Sequence, residues 1–260
     1  MKDDLDQLLT SLHLGWMAET VERELAQADQ QKPPYGAFLA NLLRAQYHHR
    51  QECALAYRIS KAYLPEGWTL ESFPFKLQPA VDKRQIRTFA ELDFIARGEN
   101  IVFIGPTGVG KTGLATGILL KALQNGCRGL FVRAQDLFDE MYASLADRSS
   151  RKLVDRLSRI GLIVCDELGY LNLKPEQTNV FFKLMEERYN HRRPTIITTF
   201  HSYCGKTWSR FLFPPRDPPV PPAGGSAGRD PSTATLQKNG TGVPLRRRSA
   251  GLLQFTGVLH

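Results

Sequence analysis

Apolar positions along this chain change their period several times, and each change marks a boundary. Leu5, Leu8, Leu9 and Leu12 recur at helical spacing. After the Pro33-Pro34 break, a longer segment from 35 to 63 sets Leu42, Leu43, Tyr47, Ala54, Tyr57 and Ile59 among polar residues. Residues 4 to about 64 therefore predict helices and no strand. From 65 to 97, Phe73-Pro74-Phe75 and Pro79 predict a connector whose two phenylalanines pack into a core. Beyond it come short apolar runs of strand length: Ile101-Val102-Phe103-Ile104, Gly129-Leu130-Phe131-Val132, Leu162-Ile163-Val164-Cys165 and Thr195-Ile196-Ile197-Thr198-Thr199. Helix-forming stretches separate them, one from 111 to the Asn125-Gly126 stop and one over 178–189 with Val180, Phe181, Leu184 and Met185 on one face. Such alternation predicts a parallel sheet flanked by helices, an α/β core.

Periodicity stops after Phe200. Residues 201–260 hold eight of the sixteen prolines and eight of the 21 glycines, a composition that predicts an irregular tail in place of a packed sheet.

The first strand runs directly into Gly105-Pro106-Thr107-Gly108-Val109-Gly110-Lys111-Thr112, which satisfies G-x-x-x-x-G-K-[ST] between a strand and a helix. Glycines let the loop's N–H groups face one anion, and the helix N-terminus adds roughly half a positive charge. Lys111 is placed to reach β- and γ-phosphates, and Thr112 to give its hydroxyl to magnesium. A second GKT, Gly205-Lys206-Thr207, has Phe200 where its first glycine belongs and no strand leading in, so it is a decoy. The run through Cys165 ends in Asp166-Glu167. Asp166 at a strand tip suits magnesium held through water, and Glu167 suits the orientation or deprotonation of an attacking water. That pairing favours hydrolysis of ATP over small-molecule phosphoryl transfer. Three regions follow: a helical N-terminal module over 1–75, a P-loop ATPase core over 76–200, and the irregular tail over 201–260.

Charge adds a limited argument. The chain carries +8, but the tail alone holds eight Lys/Arg against two acids, so residues 1–200 are nearly neutral and the overall basicity does not by itself imply nucleic acid. The local cluster Arg44, His48, His49, Arg50, Arg58 and Lys61 reads either as the solvated face of a packed helix or as a phosphate-contacting surface. The paired histidines lack acidic or cysteine companions at ligand spacing, which argues against a metal. Cys53, Cys127, Cys165 and Cys204 show no C-x-x-C spacing and read as reduced thiols of a cytoplasmic protein. An acidic N-terminus and the lack of an apolar run of roughly 18 residues point away from export and from a membrane.

Glu71-Ser72-Phe73-Pro74-Phe75, Glu99-Asn100-Ile101-Val102-Phe103-Ile104 with the loop, Asp166-Glu167-Leu168-Gly169-Tyr170-Leu171, Glu187-Arg188-Tyr189 and Ile196-Ile197-Thr198-Thr199 together resemble the IstB-like ATPases. These are helpers of bacterial insertion-sequence transposition in the AAA+ class, related to helicase loaders and replication initiators. The resemblance spans about residues 1–199. It implies an AAA+ fold, ATP and Mg2+ as cofactors, and a homo-oligomer on double-stranded DNA that recruits or stimulates a transposase without cutting DNA. A helicase loader acting on a replicative helicase, or a nucleotide-binding DNA-interaction protein with impaired hydrolysis, are the alternatives.

Three departures from the family pattern matter. Phe200 stands where relatives follow TT with asparagine, at a strand tip that faces the γ-phosphate in AAA+ proteins. Thr198 shares that face of the strand and is the nearest substitute. Gly113 stands where the family often has histidine, and the family's last strand and trans-acting arginine have no recognisable counterpart beyond Arg210.

Pattern and motif end together at Phe200, which a shifted reading frame explains; a native disordered DNA-binding tail, suited to Arg246-Arg247-Arg248, is the competing account. Translating the coding DNA in its other two frames after Thr199 is expected to restore asparagine after the TT and an arginine-bearing segment. Stop codons or unpatterned sequence in both frames would establish the tail as native.

Overall fold

The structure is a computed structural model that describes residues 2–65, 67–79, 81–170, 175–200 and 252–254. Three helices come first: α1 (Lys2–Ser11), α2 (Gly15–Gln31) and α3 (Tyr35–Ala62). Lys32 closes α2 in the left-handed conformation, and Pro33-Pro34 keep the chain extended until α3 begins. Leu9, Met17, Val21 and Leu42 form a small core of their own, with Gln46 accepting the Met17 N–H at 3.0 Å beneath it. The second half of α3 belongs elsewhere. Leu55, Ile59 and Ala62 pack into the main core, and Arg58 Nε donates to the Leu123 carbonyl at 2.9 Å.

The connector carries a 3-10 turn over Phe75–Leu77, then α4 (Lys83–Ala90), capped by the Asp82 carboxylate on the Arg84 N–H, and α5 (Asp93–Arg97). The core continues as β1 (Ile101–Ile104), α6 (Lys111–Gln124), β2 (Gly129–Arg133), α7 (Ala134–Ala146), α8 (Ser150–Ser158), β3 (Leu162–Asp166), α9 (Pro175–Asn190), β4 (Thr195–Thr199) and β5 (Leu252–Gln254). All pairings are parallel, in the order β2-β3-β4-β1-β5. Side chains alternate across the sheet. Ile101, Phe103, Val164 and Ile196 face α6 and the connector, while Val102, Ile104, Ile163, Cys165 and Ile197 face α7, α8 and α9. Burial on both faces is why these strands read as unbroken apolar runs.

Within the tail expected to be irregular over 201–260, three residues form β5. Leu252, Leu253 and Gln254 pair with Val102, Phe103 and Ile104. Ladder pairing uses main-chain groups, and β1 would otherwise present an unpaired edge, so three extended residues suffice without any periodic face. Gly205-Lys206-Thr207 and Arg210 lie outside the described residues.

The start of β4 is fixed by two buried polar side chains. Asn100 Oδ1 accepts the Thr195 N–H at 2.8 Å. Arg188, 1% exposed on α9, donates to Thr195 Oγ1 and to the carbonyls of Leu157, Ile160 and Pro194. These partners are neutral, so burial pushes the guanidinium down to about 9, with Arg193 adding to the shift. It stays protonated at neutral pH, and its planar fork ties the end of α8 to β4. Arg188→Met should lower unfolding stability by roughly 3 kcal/mol, because several buried carbonyls lose their donors together, and Arg188→Lys should fail to restore it. Unchanged urea midpoints in both variants would show that this clamp carries no stability.

Candidate functional site

Three strands deliver their C-terminal ends to one edge of the sheet. Because β4 lies between β1 and β3, with Ile104 opposite Thr199 and Cys165 opposite Ile197, the ends of all three are level. Thr112, in the first turn of α6, points its hydroxyl at both Asp166 oxygens, 3.0 and 3.1 Å away. Thr198 donates to Asp166 Oδ1 at 2.5 Å and accepts the Glu167 N–H at 2.9 Å. Asp166 is 4% exposed, whereas Glu167 is exposed at the rim. Glu167 sits at φ 62°, a left-handed conformation that costs a residue other than glycine of order 1–3 kcal/mol. The bond from its N–H to Thr198 offsets part of that strain.

The loop over 105–112 wraps the same edge. Gly110 at φ 85° turns the chain into α6, and a Cβ there would meet Phe73 at 2.6 Å, so both conformation and space require glycine. The first-turn N–H groups of α6 have no acceptor within the helix and are left for an anion. Lys111 Nζ rests on the loop's own carbonyls, 2.8 Å from Gly105 O and 2.7 Å from Pro106 O. Burial pushes its ammonium below the ordinary value, and the charges of Asp166 and Glu167 pull it back up. A cavity of about 290 Å3 opens here, lined by Thr107, Gly108, Lys111, Thr112, Glu167 and Thr198 among others.

The sequence-predicted residues are thus brought together, with different tasks. Gly105 and Pro106 hold Lys111 through their carbonyls, and Val109 is buried in the core beside Phe73. Phe200 lines the cavity where a polar side chain was expected. Thr112 and Asp166 are hard oxygen donors within one ion's reach of each other, a set that can hold magnesium.

Trp68 escaped the sequence reading. Its indole lies on Gly113, 3.3 Å from where a Cβ would be, and lines the cavity. Leu70 approaches Gly117 in the same way, at 2.8 Å, so the connector lies along a side-chain-free groove of α6. The indole fills the space that a histidine at 113 would need. A lone tryptophan in a polar stretch gives no periodic signal.

The basic cluster is dispersed along α3. Arg58 is committed to the Leu123 carbonyl and Arg50 donates to the His13 carbonyl at 3.1 Å, leaving Arg44 and Lys61 as surface cations at positions about 25 Å apart along the helix axis. His49 does have a cysteine companion, contrary to the sequence expectation: Cys53 lies one turn on, with Sγ 3.4 Å from Nε2. Among the described residues no three such groups gather.

The sequence model of the IstB-like ATP binding protein family matches residues 7–216. The chain belongs to this family. An ATP-binding protein of insertion sequence IS5376 from Geobacillus stearothermophilus is 34% identical over 203 residues, covering 78% of this chain and 80% of that relative. One of insertion sequence IS21 from Pseudomonas aeruginosa is 33% identical over 196 residues, 75% of this chain and 73% of the other. AMPPCP-bound DnaA from Aquifex aeolicus superposes with a TM-score of 0.50 at 19% identity, over 57% of this chain and 48% of that one. That likeness concerns the fold, which is a P-loop α/β fold of the AAA+ type. No described helix is long and apolar enough to cross a membrane.

Because Trp68 is 39% exposed at the cavity, an ATP analogue should shield it from acrylamide quenching in this IstB-like protein. Trp68→Phe should abolish the nucleotide-dependent change. A change that persists in the variant would place the nucleotide elsewhere.

Proposed function

We propose that this chain is an ATP-hydrolysing, DNA-binding assembly factor for transposition, in which bound nucleotide licenses oligomerisation on double-stranded DNA and recruitment of a transposase. The observation that carries the chemistry is the Asp166 carboxylate clasped by Thr112 and Thr198, with Glu167 held at its flank by the same Thr198. Membership in a family whose relatives are named for insertion sequences carries the biology.

In this reading Lys111 leaves its two loop carbonyls for the β- and γ-phosphates, and the loop and α6 N–H groups hold the rest of the polyphosphate. Thr112 and Asp166 would hold magnesium, which would supply positive charge beside those phosphates when bound. Glu167 takes a proton from water as the water oxygen bonds to the γ-phosphorus, while the bond to the β,γ-bridging oxygen breaks and ADP leaves with that electron pair. The one hydroxyl proton of Thr198 is spent on Asp166, so Thr198 positions both carboxylates in place of contacting phosphate itself. Phe200 offers no hydrogen bond, and turnover by the isolated chain is slow. DNA is held by phosphate contacts, the alternatives for its surface being α3 or the ATPase core.

Lys111→Ala should weaken ATP binding, while Glu167→Gln should keep it and cut turnover by about a hundredfold or more. Thr198→Val should lower turnover as well, and Thr198→Ser should restore it. Phosphate release that is unchanged in Glu167→Gln would remove this site from the hydrolysis. For DNA, Arg44→Ala with Lys61→Ala should reduce the slope of log affinity against log salt by roughly two, and an unchanged slope would move the DNA surface to the core.

A further inference from the structure

At the end of the sheet away from the nucleotide cavity, β1 to β4 begin. Gly129 pairs with Leu162, Ile163 with Thr195 and Ile196 with Ile101, so the four starts are level. The segments that feed them, 97–100, 125–128, 158–161 and 190–194, each bring at least one arginine and no lysine. Arg128, Arg159, Arg192 and Arg193 are exposed, and Arg97 is matched by Glu99 at 3.1 Å. Glu99 is the one acid in the four segments. The proposed reaction uses none of these arginines.

Contacts between the segments hold this edge together. A Cβ on Gly98 would meet Arg192 Cβ at 2.9 Å, and one on Gly161 would meet the Arg128 carbonyl at 2.9 Å, so neighbouring segments touch where there is no side chain. Between them the buried Arg188 bonds the carbonyls of Ile160 and Pro194. Adjacent strands lie about 4.8 Å apart, which gathers the four arginine-bearing segments within roughly 15 Å. Arg192 is kept there at a conformational cost. It stands at φ 51° just past α9, with the Arg193 N–H donating to the Arg188 carbonyl at 2.8 Å, a position that favours glycine. α5 and α6 place Gly98 and Gly126 at their left-handed ends.

We infer that this arginine edge holds the phosphate backbone of duplex DNA. The inference rests on the DNA-binding part of the proposed function and gives that contact a place on the ATPase core. Guanidinium forks match phosphate oxygens two at a time, which suits a row built from arginine alone. A protein partner needs an apolar centre, and none of the large exposed apolar side chains lies in the four segments. Single strands stack their bases on aromatic rings, and the segments contain no phenylalanine, tyrosine or tryptophan. α3 borders the edge, because Arg58 bonds the Leu123 carbonyl in the last turn of α6, just ahead of Arg128. One duplex can therefore touch both surfaces.

Fluorescence anisotropy of the full chain with a labelled duplex of about 20 base pairs, repeated from about 50 to 300 mM salt, reads phosphate contacts as a slope. Arg128→Gln, Arg159→Gln and Arg193→Gln should each lower the slope of log affinity against log salt by about 0.9, and together by about three. Arg192→Gly removes a charge and fits the left-handed backbone. It should lower the slope by the same step while leaving the urea midpoint unchanged or higher, which separates a lost contact from a damaged fold. A wild-type slope in the combined variant would overturn the inference and leave DNA binding to α3. No affinity of the wild-type chain for duplex would remove the DNA-binding reading itself, and this inference with it. Displacement of the duplex by poly-glutamate as readily as by unlabelled duplex would also overturn it, because the edge would then be a surface for acidic protein.

Discussion

The position of β4 between β1 and β3 is the constraint from which the site follows. Side chains alternate along a strand, so a slip of one residue would carry Thr198 to the opposite face and leave Asp166 and the Glu167 N–H without it. The register is held at the far end, by Asn100 on the Thr195 N–H and Arg188 on the Thr195 hydroxyl, and by Ile196 and Ile197 buried on opposite faces. Polar groups occur in β4 at its two ends, where each end serves a different purpose. Thr195 anchors the strand and Thr198 meets the chemistry.

What could be read from the sequence reflects how each feature is encoded. Strands buried on both faces are unbroken apolar runs, and the phosphate loop is a fixed spacing in a fixed context, so β1 to β4, Lys111, Thr112, Asp166 and Glu167 were legible. Arg188 was visible as part of a motif, but nothing in one dimension says that an arginine is buried in a cage of carbonyls. Trp68 and Arg58 act across 45 and 65 positions of sequence, on Gly113 and Leu123, and pattern reasoning has no access to such pairs. β5 was missed for the opposite reason: main-chain pairing leaves almost no mark on composition. Thr198 was selected for sharing a strand face with Phe200, and its partners in the structure are a carboxylate and a backbone N–H.

α6 joins the two halves of the molecule. Its N-terminus is the phosphate loop, and its last turn offers the Leu123 carbonyl to Arg58 of α3. An anion at the first end and a cation at the second both interact favourably with the same helix dipole. Between them, Trp68, Leu70 and Phe73 lie against Gly113, Gly117 and Gly110, where any side chain larger than hydrogen would push the connector away. The helical module is therefore mounted on the element that carries the phosphate loop.

In the proposed reaction, holding nucleotide and hydrolysing it rest on different atoms. Loop N–H groups, Lys111 and Thr112 are set by the β1 to α6 turn, which meets β4 through its main chain, the Gly105 N–H donating to the Thr199 carbonyl at 3.2 Å. Glu167 depends on β4 twice, since Thr198 secures its strained backbone and fixes the neighbouring Asp166. In that reaction a loss at the tip of β4, such as a phenylalanine at 200, would remove stabilisation of the reacting phosphate while leaving the side chains of the phosphate cradle in place. On the proposed function that loss is tolerable, because occupancy of the cradle alone would set which copies associate, and slow turnover would lengthen the time for which they do.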